Sequence, residues 1–335
     1  MAPQGVAIIG GGIFVKEEHL PAVLACPQLS LKAIWSRSIK SAQETAKLTP
    51  GDASASVDLY SSDSGEGKSF EDVLKRSDIT GLIMALPITE QPAYIEKALA
   101  AGKHVLAEKP IAKDVETAKQ LIAKSQKVSA ETKATLSIAE NFRFIQGYTY
   151  GAEQVMQLGK VTGFVVRISW SMQTDNKYLN TAWRAKPDYQ GECSSMLLLG
   201  PENAVDSVIA ETSLVKSYLP PVDSINAVLK TKSNVIGSFI FSVGTTLSAF
   251  DFLIACENGS VQAEGASATR EEKTFEKSNG VKEEVSAWAE SMASGTPNPQ
   301  QAPEMALADL ELLQGMLTSG DKDGVRQKLE LQHHV

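Results

Sequence analysis

Histidine is nearly missing from this chain: there are four in 335 residues, at positions 19, 104, 333 and 334. Imidazole is the side chain that most readily exchanges a proton near neutral pH, so acid–base chemistry here must draw largely on other groups. Cysteine is scarcer still. Cys26, Cys193 and Cys256 lie far apart, show no metal-ligand spacing and cannot pair evenly, which excludes a disulfide framework and leads us to expect reduced thiols in a cytoplasmic setting and no metal site. No apolar run is long enough to cross a bilayer, so no membrane partner is expected. Residues 1–5 carry no basic region, and strand-like residues follow at once; a signal peptide is not expected. Positive charge is also in deficit. Lys and Arg number 32 against 40 Asp and Glu, a net charge of −8, which argues against nucleic acid as the main partner.

What the chain does have is a regular supply of short apolar runs. Residues 6–9, Val-Ala-Ile-Ile, form one and lead straight into Gly10-Gly-Gly12, after which residues 17–25 read as a helix containing Pro21. Strand, glycine turn and helix is the arrangement in which a pyrophosphate can rest on a helix amino terminus. Gly10 would allow the tight turn, and Gly12 would let backbone approach the phosphate. The third small position of the G-x-G-x-x-G/A fingerprint is Val15, so the motif is incomplete, and a plain glycine turn fits the same residues. Residues 31–35 read as the second strand, with Ser36-Arg37-Ser38 at its end. An acid at that place would hold the ribose 2′-hydroxyl of NAD. A serine and an arginine stand there instead and suit the extra phosphate of NADP, because arginine can fork onto phosphate oxygens; a solvent-exposed arginine at the start of the next helix is the alternative.

Further strands are expected at 57–60, 78–86, 104–107 and 135–139, with helices at 39–48, 70–77, 92–101 and 115–127, the last capped by Asp114. Strands alternating with helices at this spacing mean a doubly wound parallel sheet over residues 1–140. Within it the stretch Gly102-Lys-His-Val-Leu-Ala-Glu-Lys-Pro110 stands out. A buried strand ends in a carboxylate, an ammonium and a proline, at the carboxyl edge where ligands sit in such sheets. Proline disfavours helical geometry at Lys109, so a stiff backbone presents that amine. A surface turn with an ordinary Glu-Lys pair would look the same in isolation. His104 opens the strand and is expected to pack or hydrogen-bond there.

Beyond residue 140 the rhythm changes. A helix at 150–158 is followed by a long β-branched strand at 161–170 and by strands at 224–231, 235–243, 247–255 and 260–263, with hairpin turns at 232–234 and 257–259. This describes an α+β domain over 141–320 with an open, mainly antiparallel sheet. Helices are expected at 287–294 and 304–317, and 321–335 reads as a loose charged tail.

The order Gly10-x-Gly12, Pro87, Ala101-Gly-Lys-His-Val-Leu-Ala-Glu-Lys-Pro110, Glu140-Asn-Phe-Arg-Phe144 and a β-rich second half, with Ala302-Pro-Glu-Met-Ala-Leu-Ala-Asp309 as a late helix, resembles the Gfo/Idh/MocA oxidoreductases. The resemblance spans nearly the whole chain, and Glu-Lys-Pro is its most specific element. It implies a Rossmann domain that binds NADP, or NAD, and a second domain whose open sheet faces a small-molecule substrate and pairs copies of the chain into homo-oligomers. Carried over, Gly10 and Gly12 form the pyrophosphate turn, with Ile13 and Phe14 next to it. Ser36 and Arg37 form the ribose-phosphate site, and Leu86, Pro87 and Asn141 line the nicotinamide side. Glu108 and Lys109 belong to the Glu-Lys-Pro element, and Lys109 is the active-site lysine.

One departure matters. The family carries Asp-x-x-x-His in its second domain, where the imidazole exchanges a proton with substrate. The corresponding region here, 189–203, supplies no such pair: one register places Met196 and Gly200 there, another Leu199 and Asn203, and a short missing segment is a third reading. Lys109 alone, or a tyrosine from 176–190 such as Tyr178 or Tyr189, would have to replace the base; Tyr189 is named with Lys109 as catalytic. Trp183, Arg184 and Asp188 lie in the same loop, while Glu192 and Cys193 sit at the altered motif. Two functions stay open: an oxidoreductase acting on a hydroxyl or carbonyl of a sugar-like or cyclic molecule, and a redox-inactive nucleotide-binding regulator of the same fold.

Overall fold

A strand that is apolar at every position has to be covered on both faces, and such runs build the first sheet. The structure, a computed structural model, describes residues 2–51, 56–179, 199–264, 267–269 and 272–332. Two units emerge: Met1–Asn141 with Val281–Ala306, and Phe142–Gly280 with Leu307–Val335.

The first unit holds six parallel strands, β1 (Gln4–Ile9), β2 (Leu29–Ser36), β3 (Asp58–Ser61), β4 (Gly81–Met84), β5 (His104–Glu108) and β6 (Leu136–Ala139), in the order β3-β2-β1-β4-β5-β6. Chain order reverses between β1 and β4, the point at which sheets of this kind open a ligand crevice. Val6, Ala7, Ile8 and Ile9 are wholly buried. Helices α1 (Leu20–Ala25), α2 (Ile39–Ala46), α3 (Phe70–Leu74), α4 (Gln91–Ala100) and α5 (Val115–Thr132) return the chain between strands. Asp114 caps α5 as expected, accepting the Thr117 amide at 2.7 Å. His104 also behaves as expected: its Nδ1 lies 2.9 Å from the Thr135 hydroxyl, and burial pushes its pKa down.

Chain order misleads about what covers this sheet. The helix Val281–Ser294, which the sequence places in the second domain, packs in the first unit. Val281, Val285, Trp288 and Ala289 share one core with Val6, Ile8, Ile34 and Ile83. A Cβ at Gly81 would lie 2.7 Å from the Trp288 ring, so the glycine in β4 is what admits the indole.

The second unit has a nine-stranded sheet around β7 (Val161–Ser171). It continues through β8 (Val205–Ser213), β9 (Ser224–Thr231), β10 (Ile236–Ser242), β11 (Gly244–Cys256), β12 (Gly259–Glu264), β13 (Ser267–Thr269), β14 (Glu272–Thr274) and β15 (Gln327–Lys328), in the order β14-β13-β12-β11-β7-β10-β9-β8-β15. Among the described strands of this second sheet only the β7–β10 pair is parallel, so the sheet is mainly antiparallel, as expected. The helix α6 (Gln146–Gln157) and the helix Pro303–Gly320 supply Tyr148, Val155, Leu312 and Met316 to its core. Strand β8 was not foreseen. The tail corrects a second expectation: Gln327 and Lys328 pair with Val208 and Ser207 of β8, Leu329 is buried, and the Gln332 amide donates to the Ala308 carbonyl at 2.7 Å. An edge strand leaves backbone groups unpaired, and these residues satisfy those of β8. Within the same unit Arg143, almost fully buried, holds Asp309 through a 2.6 Å hydrogen bond.

The placement of Trp288 gives a direct check. Trp288→Ala is expected to destabilise the protein by about 3–5 kcal/mol in urea unfolding, the usual cost of emptying an indole site in a core; a loss below about 1 kcal/mol would mean that this helix is not part of the first core.

Candidate active site

Parallel pairing brings the ends of the strands into one line. Tyr60, Trp35, Ile9, Met84, Ala107 and Ile138 are paired neighbours in a single row across the first sheet. The next row is Ser61, Ser36, Gly10, Ala85, Glu108 and Ala139. Every sequence-predicted site residue of the first domain therefore sits within a few positions of this carboxyl edge: Gly10 to Phe14 after β1, Ser36 and Arg37 at β2, Leu86 and Pro87 after β4, Glu108 and Lys109 at β5, and Asn141 after β6.

Gly10 has φ +135°, a conformation that suits glycine. A Cβ there would lie 2.4 Å from the Ala85 carbonyl oxygen. Its amide donates to the Trp35 carbonyl at 2.8 Å, tying the turn to β2. Gly12 is the opposite case: a Cβ on it would meet nothing within 4 Å. The backbone of the turn is thus packed on one side at Gly10 and open at Gly12, which is what a phosphate approaching the start of a helix requires. Ile13 and Phe14 follow, half-buried.

Ser36 is buried beside this turn, whereas Arg37 is exposed, with its guanidinium 3.7 Å from the Glu90 carboxylate. No acid follows Ser36 in the chain at this corner, but the fold brings one from the loop after β3. Asp63 Oδ1 accepts the Ile39 amide at 2.7 Å and the Ser61 hydroxyl at 2.6 Å, at the start of α2. The Ser61 hydroxyl and the Ile39 amide hold its carboxyl below the usual range.

Leu86 is buried and Pro87 half-buried, and the Pro87 carbonyl accepts the amides of Glu90 and Gln91, opening α4. Gln91, itself buried, turns its amide onto the Glu108 carbonyl at 2.6 Å. The Glu108 carboxylate is held in turn by His19, whose Nε2 lies 2.6 Å from Oε1. Lys109 follows, half-buried, joined to Pro110 by a cis peptide bond. Asn141 is buried at the start of the short helix Asn141–Phe144.

His19 is fully buried on a five-residue π-turn, Val15–His19, in which the Leu20 amide reaches back to the Val15 carbonyl. Pro21 explains the widened turn: it has no N–H to donate to the carbonyl four residues back. The ring of Phe14 stands edge-on to His19, with centroids 5.3 Å apart. Sequence reasoning missed His19, Gln91 and Asp63 as site residues. Pro21 inside a helical pattern was the available signal for the first; nothing local marks the other two. Tyr189, Trp183, Arg184, Asp188, Glu192, Cys193, His333 and His334 lie outside the described residues. Cys26 and Cys256 are buried free thiols, and among the described residues no helix is long and apolar enough to cross a membrane.

Residues 4–133 match the model of the oxidoreductase family with an NAD-binding Rossmann fold, GFO_IDH_MocA. A dehydrogenase of Fusarium mangiferae, FPY6, is 35% identical over 346 residues, which cover 96% of this chain and 97% of that one. This chain belongs to the Gfo/Idh/MocA oxidoreductase family. Among solved structures, an oxidoreductase from Thermotoga maritima superposes with a TM-score of 0.83 at 25% identity, over 97% of this chain and 98% of the other. A 3-ketoreductase from Actinomadura kijaniata, solved with TDP-benzene and NADP, shares the fold: its TM-score is 0.73 at 20% identity, over 95% of this chain and 98% of that one.

The family's dinucleotide and the geometry of Gly12 meet in one test. Gly12→Ala is expected to leave the melting temperature unchanged, since the added methyl meets no atom of the protein, yet to weaken NAD(P)H binding at least about 10-fold by closing the backbone approach. Unaltered affinity in a fluorescence titration would place the dinucleotide elsewhere.

Proposed function

We propose that this chain is an NADP(H)-dependent oxidoreductase, with NAD(H) as the alternative cofactor, acting on a hydroxyl or carbonyl of a sugar-like or cyclic small molecule. The observation that carries the reading is the shared edge: Lys109 stands half-buried in line with the open backbone at Gly12, on a strand whose last residue is held from two sides. When bound, the dinucleotide supplies or accepts hydride. Gly10, Gly12, Ile13 and Phe14 would hold its pyrophosphate, and Leu86, Pro87 and Asn141 its nicotinamide end. Lys109 would bind the substrate oxygen and hold or deliver the proton there, with Tyr189 as the second polar group. The sugar-like substrate rests on the family and on the ketoreductase that shares the fold.

The preference for NADP(H) rests on Ser36 and Arg37. Arg37 is paired only loosely with Glu90, and a surface pair of that kind contributes little, so the guanidinium is available to turn onto a 2′-phosphate. Asp63 works in the other direction, since its charge sits at the amide end of α2. We also propose that copies of the chain associate through the open face of the nine-stranded sheet. Val228 is half exposed there, beside a depression of about 280 Å³ lined also by Glu211, Asn226, Ser238 and Ile240.

A second reading, a redox-inactive NAD(P)-binding regulator, is favoured by one observation: no histidine stands between His104 and His333. A single-turnover experiment separates the two. Protein loaded with NADPH is mixed with a panel of carbonyl compounds and absorbance is followed. The enzyme reading expects consumption that falls at least about 100-fold in Lys109→Met, the scale of a lost general acid; tight NADPH binding without consumption on any compound supports the regulator. Tighter binding of NADH than of NADPH, unchanged in Arg37→Ala, would overturn the cofactor preference. For the assembly, sedimentation velocity should show an oligomer that Val228→Lys dissociates, and a wild-type monomer would rule the interface out.

A further inference from the structure

We infer that His19 is a positioning residue for Lys109: with Gln91 it clamps Glu108 and so fixes the backbone from which the amine projects. The inference rests on the reading of Lys109 as the acting group, and it concerns how that group is held.

Glu108 is the last residue of β5, and the chain leaves the sheet immediately after it. A residue at that place has lost one strand neighbour's support and tends to fray. Here both of its ends are tied. Its carboxylate meets His19 at 2.6 Å, and its carbonyl receives the Gln91 amide at 2.6 Å. The two holds come from different directions. Gln91 opens the helix after β4, the strand next to β5. His19 comes from the turn after β1, one strand further, so its side chain spans the switch point of the sheet. Three consecutive strand ends are thereby joined through the residue that precedes Lys109. The π-turn is the local device that allows this. One extra residue in a helical turn rotates all that follows by roughly 100°, and His19 closes that turn.

The geometry also says what His19 does not do. It is wholly buried and covered by Phe14, so it cannot touch substrate. Its Nδ1 has no hydrogen-bond partner among the described residues. A proton taken at Nε2 would have no onward acceptor, which argues against a relay. His19 therefore holds the Glu108 carboxyl group through one short contact, one residue ahead of the lysine, as a fixed support.

A histidine that merely glues a helix to a strand would have the same contacts, so the test reads Lys109 itself. The full chain is prepared as wild type, His19→Leu, which keeps bulk and loses the donor, and His19→Gln, which returns a donor near the Nε2 position. Folding is checked by circular dichroism. Acetylation of each lysine by acetic anhydride is then followed by mass spectrometry over a pH series, with exposed Lys47 as the internal standard. The expected result is a change of about fivefold or more in the relative rate at Lys109 in His19→Leu, as the amine's surroundings alter, with recovery to within about twofold in His19→Gln. Where the panel above yields a substrate, kcat in His19→Leu should fall by about 100-fold, the cost of an ångström of misplacement, while NADPH affinity stays within about threefold. A folded His19→Leu protein whose Lys109 labels at the wild-type rate overturns the clamp. Should His19→Leu not fold, Gln91→Leu cuts the other hold and is read in the same way. A panel without turnover removes the dehydrogenase reading alone, and the labelling then decides the clamp by itself.

Discussion

Everything at the candidate site depends on six parallel strands ending in phase. In an antiparallel sheet, successive strands would deliver their carboxyl ends to alternate edges. Parallel pairing sends all of them to the same edge, and the row from Tyr60 to Ile138 shows how tightly the ends are aligned. The alignment is enforced by burial. Strands such as Val6–Ile9 and Leu82–Met84 are covered on both faces, so a slip of register would move packed side chains in two layers at once. The edge is then a fixed rail onto which loops of very different sequence project glycine, serine, lysine and asparagine side by side.

This constraint explains why so much of the first unit could be read from its residues. An apolar run followed by glycine, or by Glu-Lys-Pro, marks both a strand and the place where it stops, and the parallel fold does the rest. Gly10, Gly12, Ser36 and Lys109 could be grouped from strand ends alone, while Leu86 and Asn141 were placed by the family resemblance. What escaped reading were contacts that depend on which strand lies beside which, and on a helical phase set by backbone detail. His19 is separated from Glu108 by 89 residues. Its orientation follows from a π-turn, and an ideal helical wheel would point it elsewhere. Asp63 reaches the start of α2 from a loop rich in serine and glycine that carries no periodicity.

The second unit failed in a different way. Strand β8 follows a segment dense in leucine and begins after Asn203, where the residues fit a helix about as well as a strand; short apolar runs are ambiguous between the two. Its neighbours β9 and β15 decide the matter, because β8 pairs with both. The tail beyond Gly320 is charged, and charge alone suggested looseness. Yet Leu329 sits among charged neighbours with alternate spacing, and an adjacent strand with open backbone groups is enough to order it. The helix Val281–Ser294 shows the same limit at larger scale. Trp288 needs a partner of matching shape, and the gap above Gly81 that receives it lies about two hundred residues earlier in the chain.

The scarcity of histidine then bears on how a proton could be handled at this edge. Imidazole both gives and takes a proton near neutrality, whereas an ordinary lysine ammonium is a donor that gives up its proton reluctantly. Both histidines among the described residues are committed, His104 to Thr135 and His19 to Glu108. A site that relies on Lys109 would therefore use the one nitrogen in both directions, as the ammonium that protonates a developing alkoxide and as the amine that takes a proton from an alcohol. The clamp on Glu108 acts on the backbone from which that amine projects, through a carboxylate held by His19 and a carbonyl held by Gln91. An active site built on Lys109 would therefore need that backbone held still, because one flexible side chain would do the work that the family divides between a lysine and an imidazole.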